Sequence, residues 1–375
     1  MKKQKNSLPI PKNTKFFMLV TLFAVIGSIT ILTSLASSYG LAIEPESGDI
    51  ASSATKVYDP SASSGEAVKF NQVSSGNTGQ FIRKIDTGPQ ASTYGHTPYG
   101  SLKTWTGGST ISEGSAPRDS DGWMRLKGYS FSGPIFINAK KVALIDCKVT
   151  MSNTVGHSVG TVDVTRSGAD EYLIDHCEID QNGTGWSLGG VVAYKKGTIR
   201  YSYIHGSGDG MKIGSDSLVE NNYVNNTGEG TETSPGHIDG IQGSEGRWNW
   251  TARHNTFIVG VYPEASVLAA GAEDGPENGG NICVWAASQS AKGPQPSYGV
   301  VAEDNYCNGF NAGVSLQGTD PQNPNIVRNN AFGKNFRYYP GLRIRPWPEY
   351  PHTIVENNNQ YDMKFNEATG DISPY

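Results

Sequence analysis

From about residue 128 the apolar positions fall into a recurring six-residue figure: apolar, two variable, small or Asn, one variable, apolar. It reads LIDCKV at 144–149, IDHCEI at 174–179, IRYSYI at 199–204, VENNYV at 219–224, ARHNTF at 252–257, AEDNYC at 302–307 and VRNNAF at 327–332, with a degenerate VENNNQ at 355–360. The fourth position runs Cys147, Cys177, Ser202, Asn222, Asn255, Asn305, Asn330, Asn358. A shorter apolar-x-apolar triplet precedes each figure: Ile135–Ile137, Val162–Val164, Val191–Ala193, Met211–Ile213, Ile241–Gly243, Ile282–Val284, Val314–Leu316 and Leu342–Ile344. Each unit therefore holds at least two short strands and no helical periodicity. The spacing of the fourth positions varies from 20 to 50 residues while the figure stays constant. Fixed strands with variable loops predict stacked coils, an all-β chain wound into a parallel β-helix of about eight turns over 128–360. Propeller blades would need four antiparallel strands each and a more even period. Residues 91–127 are expected to cap the first coil and 361–375 to form a C-terminal tail.

Composition supports short strands and tight turns, with 46 glycines in 375 residues. Charged residues make up 17% and the net charge is −5, which gives no electrostatic footprint for nucleic acid. The first 40 residues differ from the rest. A basic end, MKKQKNSLPIPKNTK, precedes an uncharged apolar run from Phe16 to Ala36. That run predicts export, as a transmembrane anchor about one bilayer long or as a signal peptide cleaved after Ser34-Leu35-Ala36. Either way the body is expected at the cell surface or outside the cell, anchored to the membrane if the run is retained. An exported chain permits disulfides. Cys147 and Cys177 share one inward column on adjacent coils, as two stacked thiols or as a disulfide; Cys283 and Cys307 stay unassigned.

With these repeats in view, residues 128–360 resemble the right-handed parallel β-helix of the pectate-lyase-like superfamily. The Asn column is similar to the asparagine ladders of that fold, whose amides bond the coils above and below. More narrowly, His237–Gln242 (HIDGIQ) resembles the coil of an exported bacterial β-helix group. Residues 41–90 are Ser/Gly-rich; LAIEPESGDIASS and SASSGEAVKF resemble the opening strands of a carbohydrate-binding sandwich, but for only about 30 residues, where a sandwich needs about 100. A spacer or short hairpin is expected there.

The middle residue of each triplet should point outward, which gives the column Phe136, Asp163, Val192, Lys212, Gln242, Cys283, Ser315, Arg343. GDGMKIG (208–214) and IDGIQGS (238–244) align on adjacent coils, stacking Asp209 near Asp239 and Lys212 near Gln242. Two neighbouring carboxylates repel unless a cation lies between them, so Ca2+ on Asp209 and Asp239, with Glu229 or Glu232, is one expectation. A tight Asp-Gly turn is the structural alternative. Many relatives cleave acidic polysaccharides by β-elimination. That resemblance implies Lys212 as a base of lowered pKa, His237 as the alternative base, and Gln242, Arg343, Arg345, Trp248 and Trp250 as substrate contacts. Polygalacturonase-type hydrolysis ranks lower, because the chain has RIR at 343–345 but no Gly-His-Gly. A monomeric, non-catalytic glycan-binding or adhesive rod is the alternative from a different class.

Overall fold

The computed structural model describes residues 54–58, 66–70, 80–89, 97–151, 159–182, 189–206, 209–226, 239–243, 246–259, 282–286, 289–290, 293–294, 297–310, 312–334, 336, 343–344 and 347–375. The apolar run at 16–36 lies outside them, and no helix among the described residues is long and apolar enough to cross a membrane. The chain divides into two compact units, 1–71 and 72–375. In the first, Ala54–Tyr58 pairs antiparallel with Glu66–Phe70.

In the second unit the chain visits three parallel sheets in strict rotation. Sheet 1 holds Thr110–Ser112, Ile135–Asn138, Val162–Asp163, Val191–Ala193, Met211–Ile213, Ile241–Gly243, Ile282–Ala286 and Ala312–Leu316. Sheet 2 holds Met124–Lys127, Lys141–Ile145, Glu171–Asp175, Lys196–Arg200, Leu218–Glu220, Thr251–Arg253, Val301–Glu303, Asn325–Arg328 and Thr353–Val355. Sheet 3 holds Lys103–Thr104, Tyr129–Ser132, Lys148–Thr150, Glu178–Asp180, Tyr203–His205, Tyr223–Asn226, Thr256–Val259, Tyr306–Asn308 and Ala331–Phe332. This all-β winding is consistent with a parallel β-helix. The stack begins at Lys103, ahead of residue 128, because Lys103–Thr104, Thr110–Ser112 and Met124–Lys127 already pair with the coil that follows. The chain ends in an antiparallel hairpin, Met363–Phe365 with Ile372–Pro374.

The six-residue figure is the corner from sheet 2 into sheet 3, and each of its positions is one column. The first (Leu144, Ile174, Ile199, Val219, Ala252, Ala302, Val327) and the sixth (Val149, Ile179, Ile204, Val224, Phe257, Cys307, Phe332) are buried and fill the interior. The third takes left-handed backbone in seven coils: Asp146, His176, Tyr201, Asn221, His254, Asp304 and Asn329 have φ between 48° and 56°. One such residue shifts the in-out alternation by a step, so the fourth side chain also points inward. The conformation costs L-residues about 1–2 kcal/mol, least for Asn and Asp. Where His176 and Tyr201 occupy it, their rings stack at 4.8 Å.

The fourth column satisfies the buried corner. The Oδ1 of Asn255 accepts both the backbone N–H of Asn222 (3.0 Å) and its side-chain amide (2.9 Å), while Asn255 Nδ2 donates to Val219 O and to Asn305 Oδ1, each at 2.9 Å. Asn305 and Asn330 repeat the arrangement. Ser202 Oγ and the thiols of Cys147 and Cys177 continue it toward the first coils. Both cysteines are buried free thiols. At the last coil the ladder passes through Asn359, one residue beyond the expected Asn358, which instead faces Asn329 in the neighbouring column. The disulfide joins Cys283 to Cys307, sheet 1 to sheet 3.

The second position carries a pattern of its own. Asp175, Arg200, Glu220, Arg253, Glu303 and Arg328 are direct neighbours on successive strands, and Glu356 follows. Charge alternates at every step, with ion pairs Arg200–Asp175 (2.8 Å), Arg253–Glu220 (2.6 Å) and Arg328–Glu303 (2.6 Å). In each pair the arginine is exposed and the acid largely buried; each contributes modestly alone, but opposite charges directly across parallel strands penalise a slipped coil.

Two outcomes are expected from chemical denaturation. Asn255→Ala strands buried donors and acceptors on both sides and should cost about 3 kcal/mol, whereas Asn359→Ala, at the edge of the stack, should cost about 1 kcal/mol. Arg253→Glu, which places three acids in succession, should destabilise by about 1 kcal/mol more than Arg253→Gln, and the difference should shrink in high salt.

Candidate functional site

Sheet 1 brings Asp209, Lys212, Asp239 and Gln242 onto adjacent coils, with Lys212 directly beside Gln242. Their contacts are those of a corner. Asp209 Oδ1 accepts the backbone N–H of Asp239, and Asp239 Oδ1 accepts that of Ile282, both at 2.9 Å. The glycines that follow allow close approach: a Cβ on Gly210's neighbour in the column, Gly240, would lie 2.5 Å from Cys283 O. The Asp-Gly pairs are thus a second, shorter ladder. The other oxygen of Asp209 meets Lys212 Nζ at 2.9 Å. Both oxygens of Asp209 are engaged, one by the backbone of the next coil and one by Lys212. Burial works to lower the Lys212 pKa, but the Asp209 carboxylate outweighs it and the net shift is upward. Lys212 is a paired cation, not a base of lowered pKa.

The rest of the outward column differs from the expected groove. Asp163, Val192, Gln242 and Ser315 are buried, and Trp347 donates its indole N–H to Ser315 Oγ at 2.8 Å. Gln242 neighbours Trp285, which in turn neighbours Ser315, so Trp285 and not Cys283 holds the outward place. Trp250 is fully buried, because it stands two residues before inward Ala252; Gly243 makes room for its ring. It is a core residue, not a sugar contact. Arg343 is also buried, pairing with Asp362 at 2.9 Å and lying over the Phe336 ring, so it ties the chain end to the stack. Trp248 is partly exposed and stacks on Tyr298. His237, Arg345, Glu229 and Glu232 lie outside the described residues.

The described cleft lies elsewhere, on the outer face of sheet 3. It has a volume of about 530 Å3 and is lined by Lys84, Tyr99, Lys148, Glu178, Tyr203 and His205, with Leu102, Thr104 and Ser130. Lys148, Glu178 and Tyr203 are consecutive members of the fifth column, and Asp180 and His205 stand two residues on from Glu178 and Tyr203. Glu178 is the centre. It accepts from His205 Nε2 at 3.0 Å and from Lys148 Nζ at 3.2 Å, and the Tyr99 hydroxyl also bonds to it. Burial alone would raise its pKa; the bonds from His205 and Tyr99 and the Lys148 charge win, and the carboxyl falls to about 2. Burial first, and then the Glu178 carboxylate, push the Tyr99 phenol well above its ordinary range. His205 stacks on Tyr203 at 4.1 Å, and its Nδ1 lies 3.6 Å from Asp180 Oδ1. Glu178, Asp180 and His205 also place three donor atoms within 4.8 Å of one another.

The signal that could have found this cleft is the fifth place of the figure. Its variability (Lys148, Glu178, Tyr203, Tyr223, Thr256, Tyr306) reads as a solvated position until the corner geometry shows that it faces outward beside the ladder. No protein-family model, curated protein or solved structure matches the chain.

Glu178 gives the cleft a signature in acid. Its folded pKa, about 2, lies below the ordinary 4.5. The stabilisation is therefore complete above pH 4.5 and is lost as the pH falls from 4.5 toward 2, by up to about 3 kcal/mol. Denaturant titrations across that window should show a steeper loss for the wild type than for Glu178→Gln.

Proposed function

We propose that the protein is an exported, right-handed parallel β-helix of the pectate-lyase-like kind that cleaves an acidic, uronate-containing polysaccharide by β-elimination in the cleft on sheet 3. The observation that carries this is the Tyr99–Glu178–His205 array, which opens into a cleft of saccharide size beside Lys148. Handedness follows from the strong preference of parallel crossovers for the right-handed sense. Export is supported by the basic end and apolar run at the start of the chain and by the Cys283–Cys307 disulfide.

β-Elimination removes the proton beside the uronate carboxylate and breaks the bond to the glycosidic oxygen, leaving an unsaturated sugar. In the proposed roles, Lys148 faces the carboxylate and offsets the charge that develops on it. His205 Nδ1 takes the proton, with Nε2–H held by Glu178. The Tyr99 phenol, protonated at neutral pH, gives a proton to the departing oxygen. Glu178 positions both groups and exchanges no proton itself, since a carboxyl of pKa about 2 stays ionised. The partly exposed Tyr99 ring in the lining favours contact with a sugar ring.

The test is the ultraviolet absorbance of unsaturated uronate released from a panel of uronate polymers, with and without Ca2+. His205→Ala should lower the rate by about 100-fold or more while oligosaccharide binding persists. Wild-type protein that binds uronate oligomers yet forms no unsaturated product with any polymer would mark a binding module in place of a lyase.

A further inference from the structure

The three outer faces of the stack differ. The outward column of sheet 1 is largely buried, and sheet 3 carries the cleft and the C-terminal hairpin. Sheet 2 presents an unbroken stripe. Leu173, Thr198, Leu218, Thr251, Val301, Ile326 and Ile354 are direct neighbours on successive strands. The first six are partly exposed, and Ile354 is 50% exposed. A lone apolar side chain on a surface is ordinary, but a continuous row of them marks a contact surface. The alternating charges stand two residues further along the same strands, on the same side of the sheet. The side chains of Arg200, Arg253 and Arg328 are 41%, 48% and 38% exposed, whereas those of Asp175, Glu220 and Glu303 are 11%, 13% and 15% exposed. Arginines therefore stand out at every second coil, with an acid lower in each gap.

From Asp175 to Arg328 the signs run minus, plus, minus, plus, minus, plus, and in reverse order every sign is opposite. The column is thus its own complement when a second copy lies against it with its coils in the opposite order. A two-fold axis parallel to the strands gives that arrangement. It sets Asp175 against Arg328 of the second copy, Arg200 against Glu303, and Glu220 against Arg253. Each arginine then enters a gap between the arginines of the other copy, above an acid. The same axis lays Leu173 against Ile326 and Leu218 against Thr251. Every strand of sheet 2 except Met124–Lys127 then faces a strand of the other copy. The overlap measures about 38 Å by about 16 Å, or roughly 600 Å2 a copy and about 1,200 Å2 in all, at the lower end of the range for specific contacts. We propose that the outer face of sheet 2 is a docking surface for a second copy of this chain, packed with its coils antiparallel. The cleft lies on sheet 3, outside the contact, so the proposal stands apart from the lyase reading.

Sedimentation of the full chain in mild detergent gives the first test. Wild type should be a dimer at about 50 μM, as a small specific contact of roughly micromolar affinity requires. Leu218→Lys, which puts two ammonium groups into the middle of the contact, should weaken the dimer about 100-fold and leave the circular dichroism and thermal midpoint unchanged. Short-span bis-maleimide cross-linking gives the second, and it does not depend on that variant. A mixture of Leu173→Cys and Ile326→Cys chains should cross-link to each other. Neither variant alone should cross-link, because like positions lie about 24 Å apart across the two-fold axis. Wild type that stays monomeric overturns the proposal. So does a dimer that Leu218→Lys leaves intact, which would place the contact elsewhere, the apolar run at 16–36 included. Leu173→Cys chains that cross-link to one another overturn the antiparallel packing and the charge complement on which the proposal rests.

Discussion

A left-handed residue followed by an inward amide fixes the corner between sheets 2 and 3, and the other columns take their places from it. A chain turning inside a stacked coil buries backbone N–H and C=O groups that water cannot reach. Asn222, Asn255, Asn305 and Asn330 meet this demand with one side chain each, because an amide offers two donors and an acceptor of double capacity. Once the fourth side chain points inward, the second and fifth must face out, and the first and sixth must be apolar. The interior and both outer faces of the corner thus follow from one hydrogen-bonding requirement.

The cleft inherits its precision from that corner. Lys148, Glu178 and Tyr203 sit one residue beyond the ladder, so their strands are anchored by Cys147, Cys177 and Ser202 just before them. The coils give these side chains a fixed spacing, and the chain outside the coils closes the space above them. Tyr99 and Lys84 come from segments that precede the first coil, while the hairpin at the chain end covers the far part of the same face, where Tyr306 donates to Met363 O. A repetitive scaffold supplies position; the non-repetitive ends supply what makes one stretch of it different from the next.

The sequence reveals the parts of this fold that repeat and conceals those that do not. The ladder and the buried columns are legible because the same demand recurs in every coil. Cys283 is misplaced because its sheet 1 strand, Ile282–Ala286, is longer than a triplet, and the longest apolar match is not the paired one. Asn358 is off by one because the last coil has an extra residue before its amide. Trp250 reads as a loop tryptophan, since nothing in the chain announces that Gly243, on another sheet, leaves room for it. Asp209 and Lys212 stand where the sequence places them, but as an ion pair beside a backbone cap. The cleft is the least visible part, because Glu178 and His205 acquire meaning only when Tyr99 is brought to them from 79 residues upstream of Glu178.

The alternating column Asp175, Arg200, Glu220, Arg253, Glu303, Arg328 has a consequence for how such a protein can grow. The amide ladder repeats every coil, but the charge column repeats every second coil. Duplicating or deleting one coil would leave the ladder whole and set two like charges against each other on neighbouring strands. Duplicating or deleting a pair of coils preserves both patterns. Gene-level lengthening or shortening of this stretch is therefore biased toward even numbers of turns, a parity rule written in surface charge on a scaffold whose interior is indifferent to it.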